Sequence, residues 1–171
     1  SANETTPMKW QSLLGFNLIG STALVLAVGC AAQAAEVPSD FRLEYSRGPC
    51  EGSCPEYSVT VDAAGRVNWL GKSGVKHNGF ATKTLSPTAV RDIAAALRSL
   101  HLKGARTEIR CLDSPVLFIA VTMNQTTASV RQSDCGESRA SATRQVFEVG
   151  KLLDQIVNVE SWVGAQKEKS R

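Results

Sequence analysis

Three times between Phe41 and Gly71 the apolar residues fall on every second position: Phe41, Leu43 and Tyr45, then Tyr57, Val59 and Val61, then Val67 and Trp69. A period of two puts one set of side chains on one face of a strand, so each segment reads as a strand with one buried and one solvated face. Asp62-Ala63-Ala64-Gly65 is a turn sequence, which makes a hairpin of the second and third strands. Gly48 to Pro55 is rich in chain breakers and joins the first strand to the second as a loop. A further short strand is expected around Val75 to Thr82.

The period then changes. Ser86 can cap a helix, and Pro87 suits its first turn, where a missing N–H costs no hydrogen bond. Val90, Ile93, Leu97 and Leu100 follow at three- and four-residue steps on one face. Arg98, His101 and Lys103 favour the negative end of the helix dipole, and Gly104 is a natural stop. Pro115 opens a buried strand over Val116 to Val121. Asn124-Gln125 turns the chain into a partner strand, Thr126 to Arg131. A second helix is expected from Ser138 to Val159 with Val146, Val149, Leu153 and Ile156 inward, and Trp162 packs just beyond it. Strands then a helix, twice over, define an α+β domain: a small antiparallel sheet of about five or six strands with two helices packed on one face.

Residues 1–30 read as a signal segment, 31–40 as a linker, 41–163 as the single domain and 164–171 as a polar tail. Met8-Lys9-Trp10 has the form of a translation start with a short basic region, and Leu13 to Val28 is apolar. About sixteen residues is short for a membrane span, which needs roughly 20, and suits the apolar core of a signal peptide. Ala27-Val28-Gly29-Cys30 resembles the lipobox of bacterial lipoproteins, in which the cysteine thiol receives a diacylglyceryl group. That likeness implies lipidation at Cys30 and an outer-membrane lipoprotein facing the periplasm. Cleavage near Ala34, after Ala32-Gln33-Ala34, is the rival and gives a soluble periplasmic protein.

Five cysteines fit this route: Cys30, Cys50, Cys54, Cys111 and Cys135. A lipid on Cys30 leaves four, and four cysteines in an oxidising compartment suggest two disulfides. Three pairings are open. Nearest-neighbour pairing, Cys50 with Cys54 and Cys111 with Cys135, is the expected one, because each pair then flanks one loop or hairpin. Loop closure gives roughly 2 kcal/mol for the small ring and roughly 3.5 kcal/mol for the larger. A net charge of +3 is too small to point to nucleic acid.

Tyr45 to Tyr57 contains Cys50-Glu51-Gly52-Ser53-Cys54-Pro55-Glu56-Tyr57. This stretch resembles the Cys-x-Gly-x-Cys-Pro-x-Tyr signature of a bacterial family known as domain of unknown function 6438. Asp62 to Gly65, Gly71, Gly79, Leu85, and Asp113 with Pro115 sit where that family's pattern places them. The resemblance covers roughly Phe41 to Trp162 and implies a strand running into the motif, then a hairpin, in an exported or lipid-anchored protein. It implies no activity. Cys111 and Cys135 look like an addition to the pattern.

No residue set makes a catalytic constellation. Cys50 and Cys54 are separated by three residues rather than two and lie between strands. Glu51 and Glu56 would raise a thiol pKa there, so a structural disulfide is the simpler reading. The cysteine spacings do not repeat as in zinc sites, and no metal or cofactor is expected. His77 and His101 read as surface and helix-end residues, Asp113-Ser114 as loop capping without a nucleophile elbow, and Lys103, Arg106 and Arg110 as a solvated basic run. Trp69 and Tyr57 read as core or sheet-face residues. The resulting expectation is a non-enzymatic envelope-tethered binding or accessory domain. Glu51, Gly52, Ser53 and Tyr57 form its binding loop, an envelope protein or polymer is its partner, and the lipid at Cys30 is its membrane contact. One version is a hydrolase inhibitor. A thiol–disulfide redox protein using Cys50 and Cys54, and a purely structural envelope component, are the alternatives.

Overall fold

The computed structural model describes residues 36–50, 54–100, 114–133 and 141–164, without the side chains of 141–143. They build six strands and three helices: β1 (Arg42–Arg47), β2 (Glu56–Asp62), β3 (Arg66–Ser73), β4 (Gly79–Thr84), α1 (Pro87–Ser99), β5 (Val116–Met123), β6 (Thr126–Ser133), α2 (Ser141–Val157) and α3 (Glu160–Val163). All strands join one antiparallel sheet in the order β4-β3-β2-β1-β5-β6. The first four strands form a meander. The chain then returns through α1 to the free edge of β1, where β5 pairs and β6 folds back as a hairpin.

The alternation seen in the sequence is the alternation of burial. Leu43, Tyr45, Val59, Val61, Val67, Trp69, Leu117 and Ile119 are fully buried, and their immediate neighbours along each strand are not. Helix α1 buries Val90, Ile93, Ala94 and Leu97 against this face, and α2 buries Val146, Phe147, Val149, Leu153 and Val157. The opposite face carries no helix among the described residues. In-register neighbours Leu70 and Phe80 lie on it, and Phe80 is 81% exposed.

Local chemistry fixes the connections. The Ser86 side chain accepts the Ala89 N–H at 3.2 Å with Pro87 next, the capping arrangement that its sequence signals. Asn124 and Gln125 both adopt positive φ, as a two-residue hairpin turn of the mirror type requires. Asp40, just ahead of β1, clamps that turn: its carboxylate accepts Asn124 N–H at 3.0 Å and Gln125 N–H at 2.6 Å. Helix α2 ends in a Schellman motif. Asn158 is left-handed at φ 51°, its N–H bonds to the Gln155 carbonyl at 3.0 Å, and the Val159 N–H bonds to the Asp154 carbonyl at 2.9 Å. The Lys83 ammonium reaches across from β4 to cap the Val157 carbonyl. Burial there lowers the Lys83 pKa from the ordinary lysine value.

The structure differs from the sequence reading in several bounds: α1 ends at Ser99 with Leu100 as its cap, short of Gly104, and α2 ends at Val157 rather than Val159. The fourth strand spans Gly79–Thr84 rather than starting near Val75. Its expected first residues instead form a loop whose Lys76 and His77 N–H groups bond to the Val163 and Trp162 carbonyls at 3.0 and 2.9 Å. Those carbonyls belong to α3, a single turn that the sequence reading did not contain.

Candidate functional site

Strand β1 ends with Arg47 on the buried face, directly across from Tyr57, the second residue of β2. Helix α2 lies over this face and brings Asp154 down between them. Arg47 Nη2 donates to Asp154 Oδ2 at 2.6 Å, and the Tyr57 hydroxyl donates to Asp154 Oδ1 at 2.7 Å. Both carboxylate oxygens are thus engaged. The side chains of Arg47 and Asp154 are only 16% and 24% exposed, so the pair is shielded enough to matter energetically.

Tyr45 sits two residues before Arg47 on the same face and is fully buried. Among the described residues its hydroxyl meets no partner in full hydrogen-bonding geometry, yet it feels the Asp154 charge. Burial first, and Asp154 second, push the Tyr45 and Tyr57 phenols well above the ordinary tyrosine pKa. Burial works against the charge on Arg47, but the Asp154 carboxylate and Tyr57 together raise its pKa further.

An aromatic ladder leads from this group to α3. Tyr45 meets Tyr57 edge-on with ring centres 6.4 Å apart, Tyr57 stacks on Trp69 at 4.7 Å, and Trp69 stacks on Trp162 at 5.1 Å. The Lys83 ammonium lies 4.2 Å from the centre of the Trp162 ring and closes the series. Trp69 Nε1 donates to the His77 carbonyl at 3.1 Å, tying the ladder to the loop that holds α3.

These elements surround a cleft of about 670 Å³. Arg47, Tyr57 and Asp154 line it together with Gln155 and Asn158 at the end of α2. Val159, Glu160, Val163 and Gly164 wall one side, and Pro55 comes from the β1–β2 loop. That loop carries a Cys50–Cys54 disulfide with Cα atoms 5.6 Å apart. Behind it, Gly74 adopts φ +62°, and a Cβ there would stand 2.7 Å from the Cys54 carbonyl oxygen, so only glycine lets the β3–β4 loop back onto the disulfide.

Each Asp154 oxygen accepts one of the hydrogen bonds from Arg47 and Tyr57, burial holds both phenols toward their neutral form, and the disulfide lies between strands rather than at a helix N-terminus. Among the described residues, no group of three or more His, Cys, Asp or Glu could hold a metal ion.

Of the residues singled out from sequence, Tyr57 lies in this site, only 2% exposed and among the residues that line the cleft. Cys50 and Cys54 pair beside it. Cys30, Cys111, Cys135, Glu51, Gly52, Ser53, His101 and Asp113 fall outside the described residues. His77 is exposed, with Nε2 3.2 Å from the Phe80 carbonyl oxygen. Arg47 and Asp154 were missed. Asp154 had a signal: it follows Phe147 and Gly150 and precedes Val157 at three- and four-residue steps, an acid on the inward face of an amphipathic helix.

Fold and site together define a small α+β domain with one helix-covered sheet face and a cleft at the end of that face, beside a disulfide loop. Residues 41–157, more than half of the chain, match the family described as Domain of unknown function (DUF6438), and the chain belongs to that family. No curated protein matches it. The match ends at the last residue of α2, so the floor of the cleft lies within it and the α3 wall lies beyond.

Proposed function

We propose that this chain is an exported, envelope-tethered binding or accessory domain without enzymatic activity, and that it engages its partner at the cleft beside the Cys50–Cys54 loop. The observation that carries the reading is the cleft itself, a concave site with a shielded ion pair at its floor and a cross-linked loop at its rim. Rigid walls lose little conformational entropy on binding, so modest contact area can give useful affinity. Export and tethering at Cys30 rest on the Met8 to Cys30 segment. An intact mass showing a chain that begins at Cys30 with a diacylglyceryl group supports them, and an unlipidated chain beginning near Ala35 replaces the tether with a soluble periplasmic form.

The test of binding places a photo-crosslinking amino acid at Gln155, which is exposed and lines the cleft, or at Thr82, exposed on β4. After irradiation of intact cells, a discrete adduct from position 155 and none from position 82 is expected. No adduct, or the same adducts from both positions, would replace the binding reading with that of a purely structural envelope component. The inhibitor version is narrower: unchanged lysozyme activity at stoichiometric excess of this protein removes lysozyme as its target.

A further inference from the structure

We propose that the β3–β4 hairpin is a membrane-surface contact, in which Phe80 enters the interface of an anionic bilayer while Lys72 and Lys76 meet its headgroups. This surface is separate from the cleft, and the inference takes from the reading above only the tether, which keeps a bilayer within reach. Between Asp62 and Asp92 the sequence contains no acid, and it contains Arg66, Lys72, Lys76, Lys83 and Arg91. Most of that stretch is β3, β4 and the loop that joins them. Charge of one sign gathered on one hairpin attracts a surface of the other sign.

The fold sets an apolar ring among these charges. Phe80 is 81% exposed on the helix-free face of an outermost strand, directly across from Leu70; among the described residues the other exposed large hydrophobic, Leu152, reaches 39%. Lys72 lies two residues beyond Leu70 on the same face. Lys76 and His77 are exposed in the loop, and His77 Nε2 is 3.2 Å from the Phe80 carbonyl oxygen. Two acids approach from β2, each as a partner: Glu56 Oε1 is 3.1 Å from Lys72 Nζ, and Asp62 Oδ2 is 2.7 Å from Arg66 Nε. Lys76 pairs with no acid among the described residues. Glu44, the remaining acid on this sheet face, is on β1, three strands from β4 and so about 14 Å away. Lys83 turns the other way, onto the Val157 carbonyl and Trp162, and takes no part. A soluble polyanion would use the charges and leave the ring idle. A bilayer interface uses both, since the ring leaves water for the acyl boundary while the ammonium groups stay at headgroup level.

The test places the full chain in vesicles of phosphatidylcholine, with or without one third phosphatidylglycerol, and reads a dansyl amino acid at Asn78, exposed at the end of the hairpin. A lipid with a quencher high on its acyl chain reports contact. The same probe at Ser129, exposed on β6 at the opposite edge of the sheet, is the control. Quenching at position 78 in the anionic vesicles is expected, with little at position 129 or in phosphatidylcholine alone. Lys72→Gln and Lys76→Gln should each weaken docking about fivefold. Phe80→Ser should weaken it about tenfold through the lost partial burial of the ring, with the near-ultraviolet circular dichroism unchanged. No quenching at position 78, equal quenching at both positions, or quenching in phosphatidylcholine as strong as in the anionic vesicles overturns the proposal. Dextran sulfate that shifts the probe as strongly as vesicles do, with Phe80→Ser no weaker than the parent, overturns the lipid assignment in favour of a soluble polyanion. Intact mass decides the tether separately, because the vesicles are supplied here whichever form the cell makes.

Discussion

Alkaline pH is a direct probe of the core around Asp154, because the chain has only two tyrosines and both are buried there. Tyr45 and Tyr57 have phenol pKa values raised by burial and by Asp154. A raised folded pKa means that the native state keeps its proton where the unfolded chain, near pKa 10, has lost it. Stability is then complete below about pH 10 and falls as pH rises toward the folded values. Each phenol contributes a slope of about 1.4 kcal/mol per pH unit, so the two should remove about 2.7 kcal/mol between about pH 9 and 11. Lys83 acts in the opposite direction, since its lowered pKa lets stability rise as the ammonium titrates. Comparing the parent with Tyr45→Phe and Tyr57→Phe isolates the phenols, because each variant should lose about half of the tyrosine slope. Urea unfolding at several pH values gives the slope, and absorbance at 295 nm reports tyrosinate directly. The expected result is no tyrosinate signal until the fold gives way, then both together. A gradual rise centred near pH 10, with near-ultraviolet circular dichroism unchanged, would refute the burial argument.

Further outcomes follow from single contacts. Asp154→Asn should cost about 2 kcal/mol in urea unfolding, because Arg47 loses its counter-charge in a shielded site, and Arg47→Met combined with Asp154→Leu should recover much of that loss; a single variant as stable as the parent would mean that the pair is effectively solvated. Ser86→Ala should cost about 1 kcal/mol through loss of the α1 cap, measured in the same way. Gly65→Ala should cost about 2 kcal/mol, since Gly65 sits at φ +80° and a Cβ there would stand 2.7 Å from the Leu85 carbonyl oxygen. On the acid side, the Gln125 N–H chiefly, with that of Asn124, holds the Asp40 carboxyl below its ordinary pKa, so its contribution should persist above the usual carboxylate range and disappear as pH falls through the folded value; Asp40→Asn should flatten that part of the thermal stability profile.

Much of the sheet was legible because one of its faces is dry. A period of two in β1, β2 and β3 can arise only if alternate side chains are buried, and the register confirms the hairpin turned at Asp62 to Gly65. Caps and turns were legible for a local reason: Ser86-Pro87 and Asn124-Gln125 act on backbone groups within a few residues. The start of β4 was not legible, because Lys76 and His77 satisfy their N–H groups on α3, more than eighty residues away. Asp40 escaped for the same reason, its partners lying across the sheet in the β5–β6 turn. The cleft floor was half visible. Tyr57 stood out through its motif, but its hydroxyl partner is 97 positions distant, and the Arg47–Asp154 pair spans 107. Periodicity places an acid on the inward face of α2; it cannot say which cation waits there.

The stacked indoles give the molecule an optical readout of its own cleft. Trp69 is fixed in the sheet, and Trp162 rides on the turn whose neighbours Glu160 and Val163 form the cleft wall. Two indoles at this spacing behave as coupled oscillators, and their joint circular dichroism and emission depend steeply on separation and tilt. A ligand that lifts the wall by even an ångström would uncouple them, while one that settles against a still wall would leave the spectrum unchanged. Occupancy and wall movement can therefore be told apart in the unlabelled protein, the first by calorimetry and the second by light.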